Sequence, residues 1–116
     1  MRTLLTKKKN CNPRSMQEYH KLVRDGIPEM IIAKGEECLF HIADEQEYWQ
    51  KLKEKLHEEV REFCESESPE ELADLYEVID AIMEYKQIPK DVVIALQKTK
   101  QIKRGAFTKK LILEKS

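Results

Sequence analysis

The sequence predicts a mainly α protein of four helices, with at most one small two-stranded β ribbon. Glycine and proline are scarce, at three and four copies in 116 residues, whereas Glu, Lys and Leu are abundant. Apolar residues make up 41% of the chain, which is enough for one domain with a modest core. Because no repeat or linker interrupts the pattern, we expect a single domain over residues 16–116.

The chain is highly charged but almost neutral. Charged residues make up 37% of it, yet the net charge is -1, so composition gives no argument for nucleic acid or a membrane as a partner. No apolar run reaches the ~18 residues needed to cross a bilayer, and the first residues lack a secretory signal pattern. We therefore expect a cytoplasmic protein. Residues 1–15 contain three Lys and two Arg among Asn, Pro and Ser and are predicted to be a flexible basic arm, with nucleic acid attachment as the less favoured interpretation.

Short elements are predicted ahead of the main helices. A helix from Ile27 to Lys34 would be capped by Asp25, with Pro28 in its first turn and Gly35 at its end. The segments ECLFHIA (37–43) and KKLILE (109–114) have strand character and could pair as the ribbon.

The second helix, from about Asp44 to Ser66, has one carboxylate in an unexpected place. Its apolar stripe consists of Trp49, Leu52, Leu56 and Phe63, and the spacing places Glu59 within that stripe. A carboxylate in an apolar seam costs several kcal/mol unless something pairs with it.

A third helix is predicted from about Pro69 to Lys86, after a break at Ser68. Ser68 is a suitable N-cap, and Glu71 stands at the capping-box distance from it. The helix is apolar nearly all round, which predicts burial between neighbours. A fourth helix should begin near Pro89 and end at Gly105.

Two acidic pairs flank this break. Glu59 and Glu62 are three residues apart, as are Glu71 and Asp74, so each pair shares a helix face. If helices two and three form an antiparallel hairpin, the four carboxylates fall within about 9 Å along the helix axis. Clustered carboxylates need protons or a cation, and oxygen ligands suit Mg²⁺ or Mn²⁺. Such a metal would neutralise phosphate charge and acidify a water molecule.

Simpler interpretations of these residues stay open at this point. Glu58 and Glu62 could pair with Lys55 or Arg61 in solvent, and Glu71 could serve only as a capping residue. Glu77 and Asp80 repeat the spacing of the second pair and are its rival.

Three ordered motifs resemble one family. EEVRE (58–62) followed by EELAD (70–74) resembles the E-E-x-x-E … E-x-x-D signature of the MazG-like all-α nucleotide pyrophosphohydrolases. HKLVRDGIPEMI (20–31) resembles the K-L-V-R-D-K-I-P-E-I-I opening of its house-cleaning, phosphoribosyl-ATP pyrophosphohydrolase-like subgroup, and KRGAF (103–107) resembles the closing R-G-G-F. The likeness covers about residues 19–114. Gly26 replaces a Lys of the opening motif, and Ala106 replaces a Gly of the closing one.

The resemblance implies a four-helix bundle and a Mg²⁺-dependent enzyme that converts a nucleoside triphosphate to a monophosphate and pyrophosphate. It also implies homo-oligomers, often dimers. Carried over motif by motif, the metal ligands would be Glu59, Glu62, Glu71 and Asp74. Glu58 would take part in catalysis beside Glu59 and Glu62 by orienting a ligand or a water molecule.

Basic residues are expected to contact the substrate. Arg24 in the opening motif could lie near the nucleotide or make a structural ion pair. On the fourth helix, Lys100, Lys103 and Arg104 could reach the triphosphate, although basic residues there also complement the helix dipole.

The sequence leaves two alternative functions open. The first is phosphoribosyl-ATP pyrophosphohydrolase of histidine biosynthesis, which a substrate panel would distinguish. The second is a non-catalytic helical module that binds a partner or nucleic acid through the basic arm.

Overall fold

The structure, a computed structural model, describes residues 2–5 and 17–116. The mainly α class is confirmed, since four helices and two short strands make up the regular structure of the described residues. In chain order the elements are β1 (Arg2–Leu5), α1 (Ile27–Ala33), β2 (Cys38–His41), α2 (Glu45–Ser66), α3 (Pro69–Lys86) and α4 (Lys90–Arg104).

The two strands form an antiparallel ribbon in which Arg2 faces His41 and Leu5 faces Cys38. The strand predicted within 37–43 is confirmed as β2, but its predicted partner was wrong, because residues 109–114 have no regular structure. Local composition cannot choose between distant pairing segments of similar character. Residues 2–5, assigned to the basic arm, form β1 instead, and the rest of that arm lies outside the described residues.

The two ends of helix α1 are formed in different ways. Its N-cap is Gly26 without any side-chain hydrogen bond, so the prediction that Asp25 caps this helix was wrong. At the other end Gly35 adopts φ 85°, its N–H donates to the carbonyl of Ile32, and the N–H of Glu36 donates to the carbonyl of Ile31. This Schellman motif ends the helix where the sequence predicted.

Helices α2 and α3 form the predicted hairpin, with only two residues between them. Asp44 caps α2 by accepting from the N–H of Glu47 at 2.8 Å. Glu67 then adopts a left-handed φ of 56°, and its N–H donates to the carbonyl of Phe63 at 2.7 Å. This turn reverses the chain direction before Pro69 opens α3.

Burial of α3 is less extensive than its sequence predicts. Val78 is its only buried residue, while Tyr76 is 70% exposed and Leu72 is 42% exposed. The expectation of a helix buried on all sides was wrong for the chain alone, because one hairpin partner covers only one face of a helix.

The described residues cluster into two compact units, Met1–Val78 and Ile79–Ser116. The boundary falls inside α3, so the single domain expected over residues 16–116 stays a prediction. In the first unit the buried apolar side chains are Cys38, Leu52 and Val78. In the second unit Lys90 pairs with Asp80 at 3.5 Å, and every residue of α4 is exposed. No helix in the described ranges combines the length and the apolar character needed to cross a membrane.

Candidate metal centre

Glu59 lies where its spacing predicts, on the inner face of α2. Leu52 on the same face is 1% exposed, and Glu59 itself is 4% exposed. Among the described residues, Glu59 is the one charged residue that is buried. Leu56 and Phe63 on either side of Glu59 are half-buried. Burial of a carboxylate destabilises the fold unless its oxygens are paired, so the groups around Glu59 indicate its role.

Carboxylates from both helices converge on Glu59. Oxygens of Glu58, Glu59 and Glu62 lie within 4.8 Å of one another, and the same holds for Glu59, Glu71 and Asp74. Glu59 belongs to both groups and joins them. We call these five residues the acid cluster. The hairpin therefore brings the four predicted ligands and Glu58 together, as the spacing of the two acidic pairs predicts.

Two oxygens of the acid cluster are buried without a hydrogen-bond partner. They are the Oε2 atoms of Glu59 and Glu71. The other oxygen of Glu59, Oε1, lies 3.3 Å from Nζ of Lys55. A buried acceptor without a partner normally costs about 1–3 kcal/mol, and more when it is charged. A cation between these oxygens would remove that cost.

The capping role of Glu71 does not use its carboxylate. The N–H of Glu71 donates to Oγ of Ser68 at 3.4 Å, which is the first half of a capping box. The N–H of Ser68, which the second half would require, donates to Oγ of Ser66 at 3.3 Å. The Glu71 carboxylate therefore lies with the acid cluster instead of at the cap.

Three cations of the chain compensate part of the acid cluster. Lys21 Nζ lies 2.9 Å from Oε1 of Glu58, and Lys55 Nζ lies 3.2 Å from Oε2 of Glu58. Arg24 Nη2 lies 2.7 Å from Oδ1 of Asp74. The interpretation of Glu58 as a partner of Lys55 is confirmed, and Arg24 makes an ion pair with a candidate ligand. When all five carboxylates are ionised, the three cations leave two negative charges, which one divalent ion would balance.

The pKa values differ between Glu58, which is paired with lysines, and its neighbours Glu62 and Glu71. Burial acts to raise the pKa of Glu58, but hydrogen bonds from Lys21 and Lys55 outweigh it and hold that pKa below its usual value. Burial raises the pKa of Glu62, and the neighbouring charges of Glu59 and Glu58 raise it further. Burial and the Glu59 charge likewise raise the pKa of Glu71.

The donor set fits a hard divalent cation. All the converging atoms are carboxylate oxygens, the ligands that Mg²⁺ and Mn²⁺ prefer. Clusters of acidic residues alone are common without an ion, so the unpartnered buried oxygens are the stronger observation.

The rival acidic pair has compensation of its own. Glu77 lies 3.7 Å from Nη1 of Arg24, and Asp80 lies 3.5 Å from Nζ of Lys90. Neither residue belongs to a group of converging ligand oxygens in the described chain.

The residues predicted to bind the substrate lie in two different parts of the molecule. Arg24 lies at the acid cluster through Asp74. Lys100, Lys103 and Arg104 lie on the exposed α4 in the second unit, and their contact with substrate stays a prediction. Sequence reasoning missed Lys21, whose pairing with Glu58 spans 37 positions and leaves no local signal. It also passed over the pairing of Lys55 with Glu59, although their i, i+4 spacing could have indicated it.

Comparison of the chain with protein-family models, with curated proteins and with solved structures finds no match in any of the three. The resemblance to the MazG-like pyrophosphohydrolases therefore stays a prediction that depends on the motifs themselves.

Proposed function

We propose that this chain is a Mg²⁺-dependent nucleoside triphosphate pyrophosphohydrolase with a cytoplasmic, house-cleaning role on noncanonical nucleotides. The observation that carries the proposal is the buried Oε2 of Glu59, which has no partner although four other carboxylates surround the residue. The motif resemblance indicates the type of reaction, and the acid cluster contains oxygen ligands that suit the metal.

The metal ligands in this proposal are Glu59, Glu62, Glu71 and Asp74, two from each helix of the hairpin. Mg²⁺, or Mn²⁺ in its place, would neutralise phosphate charge and make a water molecule acidic enough to attack at neutral pH.

The remaining polar residues hold this arrangement in place. Lys55 bridges Glu58 and Glu59, which fixes the orientation of the buried carboxylate toward the cluster. Arg24 pairs with Asp74 at the edge of the acid cluster and balances part of its charge. Glu58, whose two oxygens are bound by lysines, is suited to orienting a ligand or a water molecule from outside the metal shell.

The test is pyrophosphate release from a panel of standard and modified nucleoside triphosphates, with and without Mg²⁺. We expect release only with Mg²⁺, and loss of release in Glu59→Gln and Asp74→Asn variants that keep the wild-type circular dichroism spectrum. Glu65→Gln is the matched control, because Glu65 is an exposed acid on the same helix outside the acid cluster.

Two other results would redirect the proposal. Turnover of phosphoribosyl-ATP in preference to all triphosphates would assign the chain to the histidine pathway. No release from any nucleotide would instead favour the non-catalytic helical module.

We also propose a homo-oligomer, as the resemblance implies. Support comes from α4, whose apolar side chains are exposed in the single chain: Ile102 is 77% exposed and Leu96 is 57% exposed. Light scattering coupled to gel filtration should report a mass of at least two chains, and a mass of one chain would contradict the proposal.

A further inference from the structure

A second feature of the first unit is a cleft beside the acid cluster, of about 290 Å³. Its polar lining consists of four cations and two carboxylates: Lys21, Lys51, Lys55, Arg61, Glu54 and Glu58. The lining has two more cations than carboxylates, although Lys55 also pairs with Glu59 outside it, and this positive balance is suited to an anion.

The cleft and the acid cluster share residues. Glu58 belongs to both, and Lys55 lines the cleft while its Nζ lies 3.3 Å from Oε1 of Glu59. A phosphate group held at the acid cluster by a metal would therefore have the cleft as its immediate neighbour.

Two of the four cations are separate from the candidate metal ligands. Lys51 Nζ donates to the backbone carbonyl of His20 at 2.8 Å and lies 3.3 Å from Oε1 of Glu54. Arg61 is exposed, and within the described ranges its guanidinium has no salt bridge. Lys51 and Arg61 therefore offer donors that a bound anion can use without disturbing the acid cluster.

We propose that this cleft binds the β- and γ-phosphates of the substrate, the part released as pyrophosphate; this inference rests on the function proposed above. Cleavage of the α–β bond requires these two phosphates to extend away from the reacting centre, and hydrolysis increases the charge on the departing pyrophosphate. Lysine and arginine donors form charge-assisted hydrogen bonds with phosphate oxygens, with arginine able to donate two at once. Lys51 and Arg61 would hold the phosphates, and Lys55 would connect them to the acid cluster.

This assignment differs from the one that the sequence suggests. The shared face of the fourth helix favours Lys100, Lys103 and Arg104 as the phosphate-binding residues, whereas the cleft uses cations of the first unit. The two sets can be changed independently, so they can be compared in one experiment.

The experiment measures binding of inorganic pyrophosphate to the full chain by calorimetry, in the presence of Mg²⁺. We expect Lys51→Gln and Arg61→Gln each to weaken pyrophosphate binding about tenfold, since each removes a charged hydrogen bond. The affinity for Mn²⁺ alone, measured by electron paramagnetic resonance, should not change, because neither residue contacts a candidate ligand. Lys53→Gln is the matched control: Lys53 lies on the same helix but faces Trp49, with Nζ 5.3 Å from the ring centroid.

Three results would overturn the assignment to the cleft. The first is unchanged pyrophosphate affinity in the Lys51→Gln and Arg61→Gln double variant. The second is a loss of affinity in a Lys100→Gln and Arg104→Gln double variant alone. The third is wild-type binding of pyrophosphate that is no tighter than binding of orthophosphate.

Failure of the cleft and failure of the proposed function give different results. Pyrophosphate bound through Lys51 and Arg61 by a chain that hydrolyses no nucleotide would support the cleft and reject the hydrolase. Hydrolysis with the same KM and the same inhibition by pyrophosphate in wild type and double variant would support the hydrolase and reject the cleft.

Discussion

Glu58 and Glu62 lie four residues apart on α2, yet their carboxylates have opposite surroundings. Both oxygens of Glu58 are bound by lysines, and its pKa lies below the usual value. The pKa of Glu62 is raised by burial and by the charges of Glu59 and Glu58. Glu71, from the facing helix, shares the surroundings of Glu62, because its pKa is also raised and its Oε2 has no partner.

This difference shows which part of the acid cluster the protein compensates by itself. The lysines neutralise the side that contains Glu58, whereas within residues 17–116 Glu62 and Glu71 form no salt bridge, and burial and the neighbouring carboxylates raise their pKa values. Carboxylates whose pKa values are raised by one another are candidates for a ligand site. The comparison therefore predicts that a metal ion depends on the Glu62 and Glu71 side and much less on Glu58.

The largest expected effect is on catalysis. Glu62→Gln should reduce Mg²⁺-dependent pyrophosphate release more than about a hundredfold, because it removes a proposed metal ligand, and Glu58→Gln should reduce it by about ten- to a hundredfold through lost orientation. Steady-state assays over a range of Mg²⁺ concentrations measure both. Equal losses in the two variants would contradict the division of the acid cluster into two sides.

Binding of a metal should also stabilise the fold. At a Mg²⁺ concentration about 100 times Kd, the free energy of unfolding should rise by about 2.7 kcal/mol, which corresponds to a Tm increase of about 10 °C for a domain of this size. Thermal denaturation followed by circular dichroism measures the shift. Glu62→Gln and Glu71→Gln should remove most of it, whereas Glu65→Gln should keep it. A shift of the same size in all variants would show that the ion acts elsewhere.

Much of this site could be predicted from sequence, because its information is local. The three-residue spacing within each acidic pair, the position of Glu59 in an apolar stripe and the break at Ser68 all lie in one stretch of α2 and α3. Helix periodicity and turn chemistry convert these spacings directly into positions, so the convergence of the carboxylates was predictable.

The compensating cations and the ribbon could not be predicted in the same way. Lys21 pairs with Glu58 across 37 positions and Arg24 pairs with Asp74 across 50, so each contact depends on how distant segments pack. The pairing of β1 with β2 has the same origin. Several lysines and several strand-like segments were equivalent by local pattern, and only tertiary packing distinguishes them.

The two sides of the acid cluster should also differ in their effect on stability without metal. The pKa of Glu62 is raised above its ordinary value of 4.5, so its favourable contribution is present below pH 4.5 and is lost as pH rises through the folded pKa. The pKa of Glu58 is lowered, so its contribution is present above pH 4.5 and is lost as pH falls through the folded pKa. In a chelating buffer at pH 7, Glu62→Gln should therefore stabilise the protein and Glu58→Gln should destabilise it, each by up to about 1 kcal/mol.

Urea denaturation at pH 7 and near pH 4 measures this difference. The stabilising effect of Glu62→Gln should shrink at the lower pH, where the carboxyl group is mostly protonated in both states. A destabilising effect of Glu62→Gln at pH 7 would mean that this carboxylate is already compensated, and it would remove the contrast with Glu58.

The smallest expected effect concerns Arg24, which compensates Asp74 at the edge of the acid cluster. Its guanidinium lies 2.7 Å from Asp74, but the side chain of Arg24 is 53% exposed, so solvent screens the pair and its contribution to stability should stay below about 1 kcal/mol. Arg24 and a metal ion would nevertheless compete for Asp74. Arg24→Gln should therefore tighten Mn²⁺ binding by about two- to threefold at low salt, and the gain should decrease as ionic strength rises.

The same substitution at Arg61, which contacts no candidate ligand, should leave Mn²⁺ affinity unchanged. Weaker Mn²⁺ binding in Arg24→Gln would instead mean that Arg24 positions Asp74 for the ion, and that the positive charge on this side of the acid cluster supports the metal ligands instead of competing with the metal.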